Sequence, residues 1–338
     1  MRRVSSRLGD ERGAVSIVVA AVMVVLLTCA AIAIDIARLQ VERGELQNGA
    51  DAAALAVAQS CAKTPCTAPS AAPASTVAAA RTAQTAAIAL AATYADANAG
   101  DGASGSTATF PTATSVRVTA SAEDASTGAG SLATVFAPVL GIDSLEAEAS
   151  ATASWGSPGA GEAALALAFA PCVFRLDGAI QVISMHGDSG GTACQTESPS
   201  GTLLPGGFGW LHDPVGTCRA NVDRLKPAPV SGSTGVSLPP GCAAQLSKLG
   251  GTTVLLPVYS DKGGTGSGGW YTISGFAAFQ VLGWNFPGMS WNNQTYPGAG
   301  CKGTCKGIIG KFTTFVSLDD AFSLGGANLG ASIITLSD

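Results

Sequence analysis

Residues 14–34 read AVSIVVAAVMVVLLTCAAIAI, from Ala14 to Ile34, without one charged side chain. At 1.5 Å per residue a helix of this length spans about 31 Å, the thickness of the hydrocarbon core of a bilayer. A backbone in lipid must satisfy its own hydrogen bonds, so a helix is the expected form. Arg2, Arg3, Arg7 and Arg12 precede the run and Asp35 follows it. That asymmetry places residues 1–13 in the cytoplasm and the rest of the chain outside, as a single-pass protein of a bacterial inner membrane. A cleaved signal peptide is the rival reading, and Ala30, Ala31 and Ala33 supply small residues near the end of the run. The run is longer than the usual apolar region of such a peptide, which favours a retained anchor.

Downstream of the run the helical pattern continues in amphipathic form. Ile36, Leu39, Leu46, Ala50, Ala53 and Val57 make a seam, interrupted by Arg43. Asp35 with Arg38, and Arg38 with Glu42, have helix-supporting spacing. Gly44 and Gly49 each cost about 1 kcal/mol against alanine, so this stalk needs something to lean on. Packing against the chain's own exported domain is favoured over a partner helix or self-association through the stalk.

The stretch AAIAIDIARLQVERGELQNGADAAALAV, residues 30–57, resembles the N-terminal domain of TadE/TadG-like proteins of the Flp (tight-adherence) pilus system. The motif residues are Asp35 at the end of the membrane helix, Arg38, and the run containing Glu45, Leu46, Gln47, Asn48 and Asp51. The resemblance implies a membrane-anchored, non-enzymatic component of pilus assembly or a related secretion apparatus. Its partners would be the cytoplasmic membrane and other pilus-assembly proteins. Residues 116–155 echo the family more weakly, as a strand at 115–120, a short helix at 132–140 and a strand at 145–155. Two family features are missing. Val18 stands where a prepilin cut after Gly13 would carry glutamate, and residues 319–323 lack the spacing of a metal-binding Asp-x-Ser-x-Ser loop.

Beyond the stalk the expected fold class is α+β, a membrane helix followed by a mainly β, disulfide-containing exported domain. Residues 14–58 form the membrane and stalk helix. Residues 59–112 are a low-complexity Ala/Thr/Ser segment, with a helix over 75–99 capped by Ser75. Residues 113–156 form a small α/β segment. Residues 157–338 alternate short apolar runs with Gly/Pro/Ser turns, at 164–170, 179–184, 252–259, 270–282, 313–318 and 331–336. A short helix is expected over 243–249. The arrangement as sandwich, barrel or irregular sheet stays open.

AVILMFWYC residues make up 47% of the 338 residues and DEKR residues only 12%, with 43 glycines, a mix that suits a loop-rich exported domain. The net charge of −5 argues against a nucleic-acid partner. Of nine cysteines, Cys29 lies in the membrane run. Cys61, Cys66, Cys172, Cys194, Cys218, Cys242, Cys301 and Cys305 lie on the expected outer side. An even number in an oxidising compartment points to disulfides. Nearest-neighbour pairing is the simplest of many connectivities: Cys61–Cys66, Cys172–Cys194, Cys218–Cys242 and Cys301–Cys305. No metal or cofactor is expected, because Cys301 and Cys305 alone do not supply the ligands of a zinc site.

Three motifs invite chemistry. Residues 187–191, GDSGG, look like the nucleophile loop of trypsin-like proteases, yet the chain's two histidines are His186, three residues before Ser189, and His212, downstream. A glycine-rich turn is the favoured reading. Residues 263–269, GGTGSGG, lack the Lys-Ser/Thr of a phosphate loop and suit a hairpin tip. Trp270, Tyr271, Phe276, Phe279, Trp284, Phe286, Trp291 and Tyr296 are concentrated in one region, read as the core of the distal domain. A carbohydrate- or surface-binding face is the minor alternative. A surface-displayed binding module that shares only the anchor, and less readily a secreted serine hydrolase, are the rival functions.

Overall fold

The computed structural model describes residues 12–184, 195–197, 203–205, 207–226, 228–233, 235, 237–264 and 266–337. Helix α1 runs unbroken over Arg12–Lys63, so the apolar run and the stalk are one helix of 52 residues. From Val15 to Ala30 every side chain is exposed, with Leu27 at 66%. A helix that shows apolar side chains on all sides to its surroundings is a membrane-spanning candidate. Its C-terminal half is different: Leu46, Ala50, Ala53, Ala54, Val57, Ala58 and Cys61 are buried along one face.

That face meets α2 (Ala74–Asn98) and a sheet. The buried positions of α2 are Ala80, Ala87, Ala91 and Ala95, so the two helices approach through alanines. Gly49 lies at the closest approach, where a Cβ would sit 3.3 Å from the Ala95 carbonyl oxygen. Helix α2 starts one residue before Ser75, and Pro73 at its N-cap makes no side-chain cap, so the expected Ser75 cap does not form. Pro73 is the extended residue before the helix, and its carbonyl accepts the first helical bond, from the Val77 N–H at 3.1 Å.

Strand β1 (Ser104–Thr112), at the end of the low-complexity stretch, forms a hairpin with β2 (Ser115–Ala122). Next come β3 (Leu132–Ala133), a 3-10 turn at Ala137–Leu140 and β4 (Ser144–Leu145), which pairs with β3. The helix expected over 132–140 is therefore only this turn. Thr134 and Val135 are β-branched and Pro138 lacks an N–H, which leaves too few helix-forming residues to nucleate an α-helix.

The chain continues through β5 (Glu148–Gly156), β6 (Pro158–Ala163), β7 (Leu167–Phe169) and β8 (Gln181–Ser184). It then forms the small hairpin of β9 (Gln195–Glu197) and β10 (Leu203–Pro205). Strands β11 (Phe208–Leu211), β12 (Ala220–Asp223) and β13 (Val230–Ser233) precede helix α3 (Cys242–Leu249). The long strands β14 (Thr253–Gly263) and β15 (Gly269–Phe286) are followed by β16 (Met289–Trp291), β17 (Gly307–Thr313), β18 (Phe315–Ser317), β19 (Ser323–Leu324) and β20 (Ala331–Ser337).

Two sheets organise the part beyond the helices. In the first the order is β1-β2-β5-β20-β18, and its buried face (Val116, Val118, Ala120, Ala151, Ala153) covers α1. The second is built on β15, whose 18 residues pair with β14 along one edge and with β13 and then β17 along the other. Pairings β13–β11, β11–β7, β7–β14, β14–β15 and β15–β13 return to the starting strand, so these strands close into a ring. A closed ring has no edge to protect from other chains. At Gly209, on β11, the Tyr271 ring lies so close that no Cβ fits.

The core of this part holds Phe169, Trp210, Tyr259, Tyr271, Phe276, Phe279, Trp284, Phe286 and Phe312. Phe169, Phe279 and Phe312 stack at centroid distances of 4.9–5.2 Å. Trp270 and Tyr296, expected in this core, are only partly buried, and Trp291 is 37% exposed. Overall the chain is α+β: a long apolar helix, then a mostly β domain with three disulfides among the described residues.

Candidate functional site

The motif residues of α1 lie on a helix, so their spacing fixes which way each one faces. Leu46 points into the core shared with α2 and the first sheet. Gln47 lies on the flank and its Nε2 donates to Asp51 Oδ1 at 2.9 Å, an i,i+4 pair. Asn48 is exposed. Arg38 is exposed too, and its Nη1 donates to the Ala133 carbonyl oxygen at 3.4 Å. Ile36, placed on the seam by its spacing, is exposed, whereas Leu39 is partly buried against the core.

Two acidic residues tie α1 to distant parts of the chain. Glu45 Oε2 accepts from the Gly100 N–H at 2.7 Å, just past the C-terminus of α2. Asp35 is only 4% exposed. Its Oδ1 accepts from the Val135 N–H at 2.9 Å, and its Oδ2 accepts from Phe136 at 2.9 Å and Ala137 at 2.7 Å. These are the open N–H groups at the start of the 3-10 turn, so a residue of one element caps another about 100 positions away. The hydrogen bond from Val135 holds the Asp35 carboxyl below the ordinary range; burial opposes it, and the bonds from Phe136 and Ala137 and the Arg38 charge add to it. Glu42, on the next turns, shifts the other way. Its burial, then the charges of Glu45 and Asp101, push its carboxyl up, against Arg38.

The cysteines lie around this framework. Cys61, in the last turn of α1, is bonded to Cys66 in the following loop. Cys218 is bonded to Cys242 at the start of α3, and Cys301 to Cys305. Cys172 is disulfide-bonded as well, while Cys194, its expected partner, lies outside the described residues. Cys29 is free and exposed on the apolar half of α1.

The other motifs are less concentrated. His186, Asp188 and Ser189 lie outside the described residues, and His212 is an exposed residue whose N–H donates to the Ser231 carbonyl. The glycine run at 263–269 joins β14 to β15, with Gly263 paired to Trp270 across the hairpin. Trp291 stacks on Trp284 at a centroid distance of 4.9 Å, half in the surface. Among the described residues no group of three or more His, Cys, Asp or Glu is placed to hold a metal ion.

The convergence of long-range side-chain contacts is therefore at α1. Carboxylates at Asp35 and Glu45 collect backbone donors from the folded domain, Asp35 at the end of the apolar run and Glu45 three turns further along α1. Sequence spacing alone did not reveal these partners, since Val135 and Gly100 lie far away along the chain. No match was found among curated proteins or among solved structures. Residues 13–60, almost the whole of α1, match the model of the Flp pilus-assembly TadE/G-like family.

Proposed function

We propose that the protein is a membrane-anchored structural component of Flp-type pilus assembly or a related secretion apparatus. The observation that carries this reading is the family match over residues 13–60, on a helix that is exposed and uncharged over 15–30 and built into a folded domain from Leu46 onward. In this reading the N-terminus stays in the cytoplasm, because the arginines before the run resist transfer. The domain beyond Asp35 is exported, where its disulfides persist. Its role is to present a stiff platform to other assembly proteins, without chemistry of its own.

Deleting the gene and counting surface pili by microscopy tests the role: loss of piliation is expected, and unchanged piliation overturns it. A periplasmic reporter fused after Asp338 tests the topology and is expected to be active. A second reading has its own support, because the family match stops at residue 60 and most of the chain lies beyond it. On that reading the distal domain is a surface-displayed binding module on a shared anchor. A gene remote from any pilus ATPase and prepilin peptidase favours it.

A further inference from the structure

The β3–β4 hairpin ends in a tip, residues 134–142, that reads TVFAPVLGI and contains no charge. Five of its nine side chains are large, apolar and exposed: Val135, Phe136, Val139, Leu140 and Ile142, with Val139 at 88%. An uncharged apolar cluster of this kind on a water-facing surface calls for a partner.

Its position names the partner. Asp35, the first residue after the apolar run, holds the backbone of Val135, Phe136 and Ala137 directly. The tip is thereby pinned at the level where α1 leaves the hydrocarbon. Along α1 the first departures from full exposure are Ala31 and Ile32. Ala31, Asp35 and Leu39 follow at i, i+4 and i+8, so one face of the helix is covered from within the apolar run onward.

Most backbone donors of the tip are also paired within the protein. The Thr134 N–H donates to Asp143, and those of residues 135–137 donate to Asp35. Val139 donates to Phe136, Gly141 to Pro138 and Ile142 to Ala137, while the Thr134 hydroxyl donates to the Ile142 carbonyl at 2.6 Å. Pro138 has no N–H to satisfy. Each donor paired within the protein lowers the cost of moving irregular backbone out of water.

We propose that residues 134–142 are a second membrane contact, a hydrophobic wedge seated in the acyl-chain boundary of the lipid leaflet beside α1. Asp35 would then set the depth and orientation of the exported domain as well as its attachment. The inference rests on α1 crossing the bilayer, and the two can be separated.

The test uses the full chain with Cys29→Ala and Val139→Cys, labelled with a polarity-sensitive fluorophore. It is reconstituted in vesicles of phosphatidylcholine and phosphatidylglycerol with or without brominated acyl chains. Ile142→Cys serves as a second reporter and Val215→Cys, 78% exposed and on the β11–β12 connection, as the water-facing reference. Blue-shifted emission, quenching by brominated lipid and protection from iodide are expected at 139 and 142 but not at 215. Emission like that of the reference, quenched by iodide, overturns the wedge. So does a blue shift with neither quencher effective, which would mean that protein covers the tip. A label on the native Cys29 reports the span itself: if it is lipid-quenched while the tip is not, only the wedge fails, and if it too is open to iodide, the anchor fails and the wedge with it.

Discussion

Asp35 does two jobs that compete in ordinary carboxylates. It ends a run of apolar residues, where a charge is tolerated only at the boundary, and it is withdrawn from water to cap three backbone donors. Asp35→Ala leaves the N–H groups of Val135, Phe136 and Ala137 without their acceptor. The expected outcome is faster amide hydrogen exchange at these three residues with little change in the distal core, and Asp35→Asn, which keeps one oxygen, should fall between. The pH dependence follows from the same bonds. A carboxylate lowered in the folded state stabilises fully above its unfolded value and loses that contribution as pH falls through the folded one. Asp124 is the clearest case. Hydrogen bonds from the hydroxyls and N–H groups of Ser126 and Thr127 lower it from 3.8 to about 2. Its local turn should hold at pH 4 and open as the pH approaches about 2, a loss that Asp124→Asn abolishes when exchange at residues 126–128 is followed against pH. Glu42 has the opposite sign: being raised, it favours the folded state on the acid side, so Glu42→Gln should slightly stabilise the protein at neutral pH.

At the scale of elements, the packing of α1 on α2 is made of alanine, with little burial per contact and no slack. Ala53 and Ala91 are 0% and 1% exposed. Inserting extra methylenes into such an interface costs about 1–3 kcal/mol, so Ala91→Leu and Gly49→Leu should each lower the unfolding free energy by that order, read as a lower denaturant midpoint. Leu46→Ala should cost more, about 2–5 kcal/mol, because it empties the largest side chain of this seam. The seam itself was legible, since a 3.5-residue rhythm identifies a buried face whatever covers it; Ile36 is the exception because the covered face at that level runs through Ala31, Asp35 and Leu39 and Ile36 lies beside it. The strands read at 252–259 and 270–282 from their aromatic and β-branched residues are β14 and β15, which run on to Gly263 and Phe286. Strand β1 was not legible, because its Ser, Gly, Thr, Ala and Pro residues have the texture of a loop, and only pairing with β2 makes it a strand. The covalent staples sit on the same elements. The loop closed by Cys218–Cys242 spans 24 positions, and a loop of that length stabilises by about 3 kcal/mol on the chain-entropy account. Replacing both cysteines by alanine should reduce unfolding free energy by roughly that amount under non-reducing conditions and have no further effect under reducing ones.

The whole molecule is joined by its last strand. β20 enters the first sheet beside β5, with Ile334 opposite Trp155. Successive residues of a strand face opposite ways, and here the two faces belong to different cores: Ile333 is buried with Phe276 and the aromatics of the second sheet, Ile334 with Leu46 and the α1 face. No local pattern in residues 331–336 discloses that bridging position, because periodicity reports burial and not which sheet supplies it. The closure of the strand ring through β13 and β15 was hidden for the same reason: it depends on a pairing between residues 230–232 and 269–271. The bridging strand makes the two cores one cooperative unit, and substitution distinguishes this from mere contiguity. Ile333→Ala empties one core and Ile334→Ala the other, each at about 2–5 kcal/mol. If the cores unfold together, hydrogen exchange should show protection lost in parallel around Trp155 and around Trp210 in both variants. If Ile333→Ala exposes only the residues around Trp210, and Ile334→Ala only those around Trp155, the cores are independent. In that case a force on the distal domain would not reach the anchor through β20. Coupled loss is the expected result, because β5 and β20 share five paired positions and neither sheet keeps its buried face when β20 leaves.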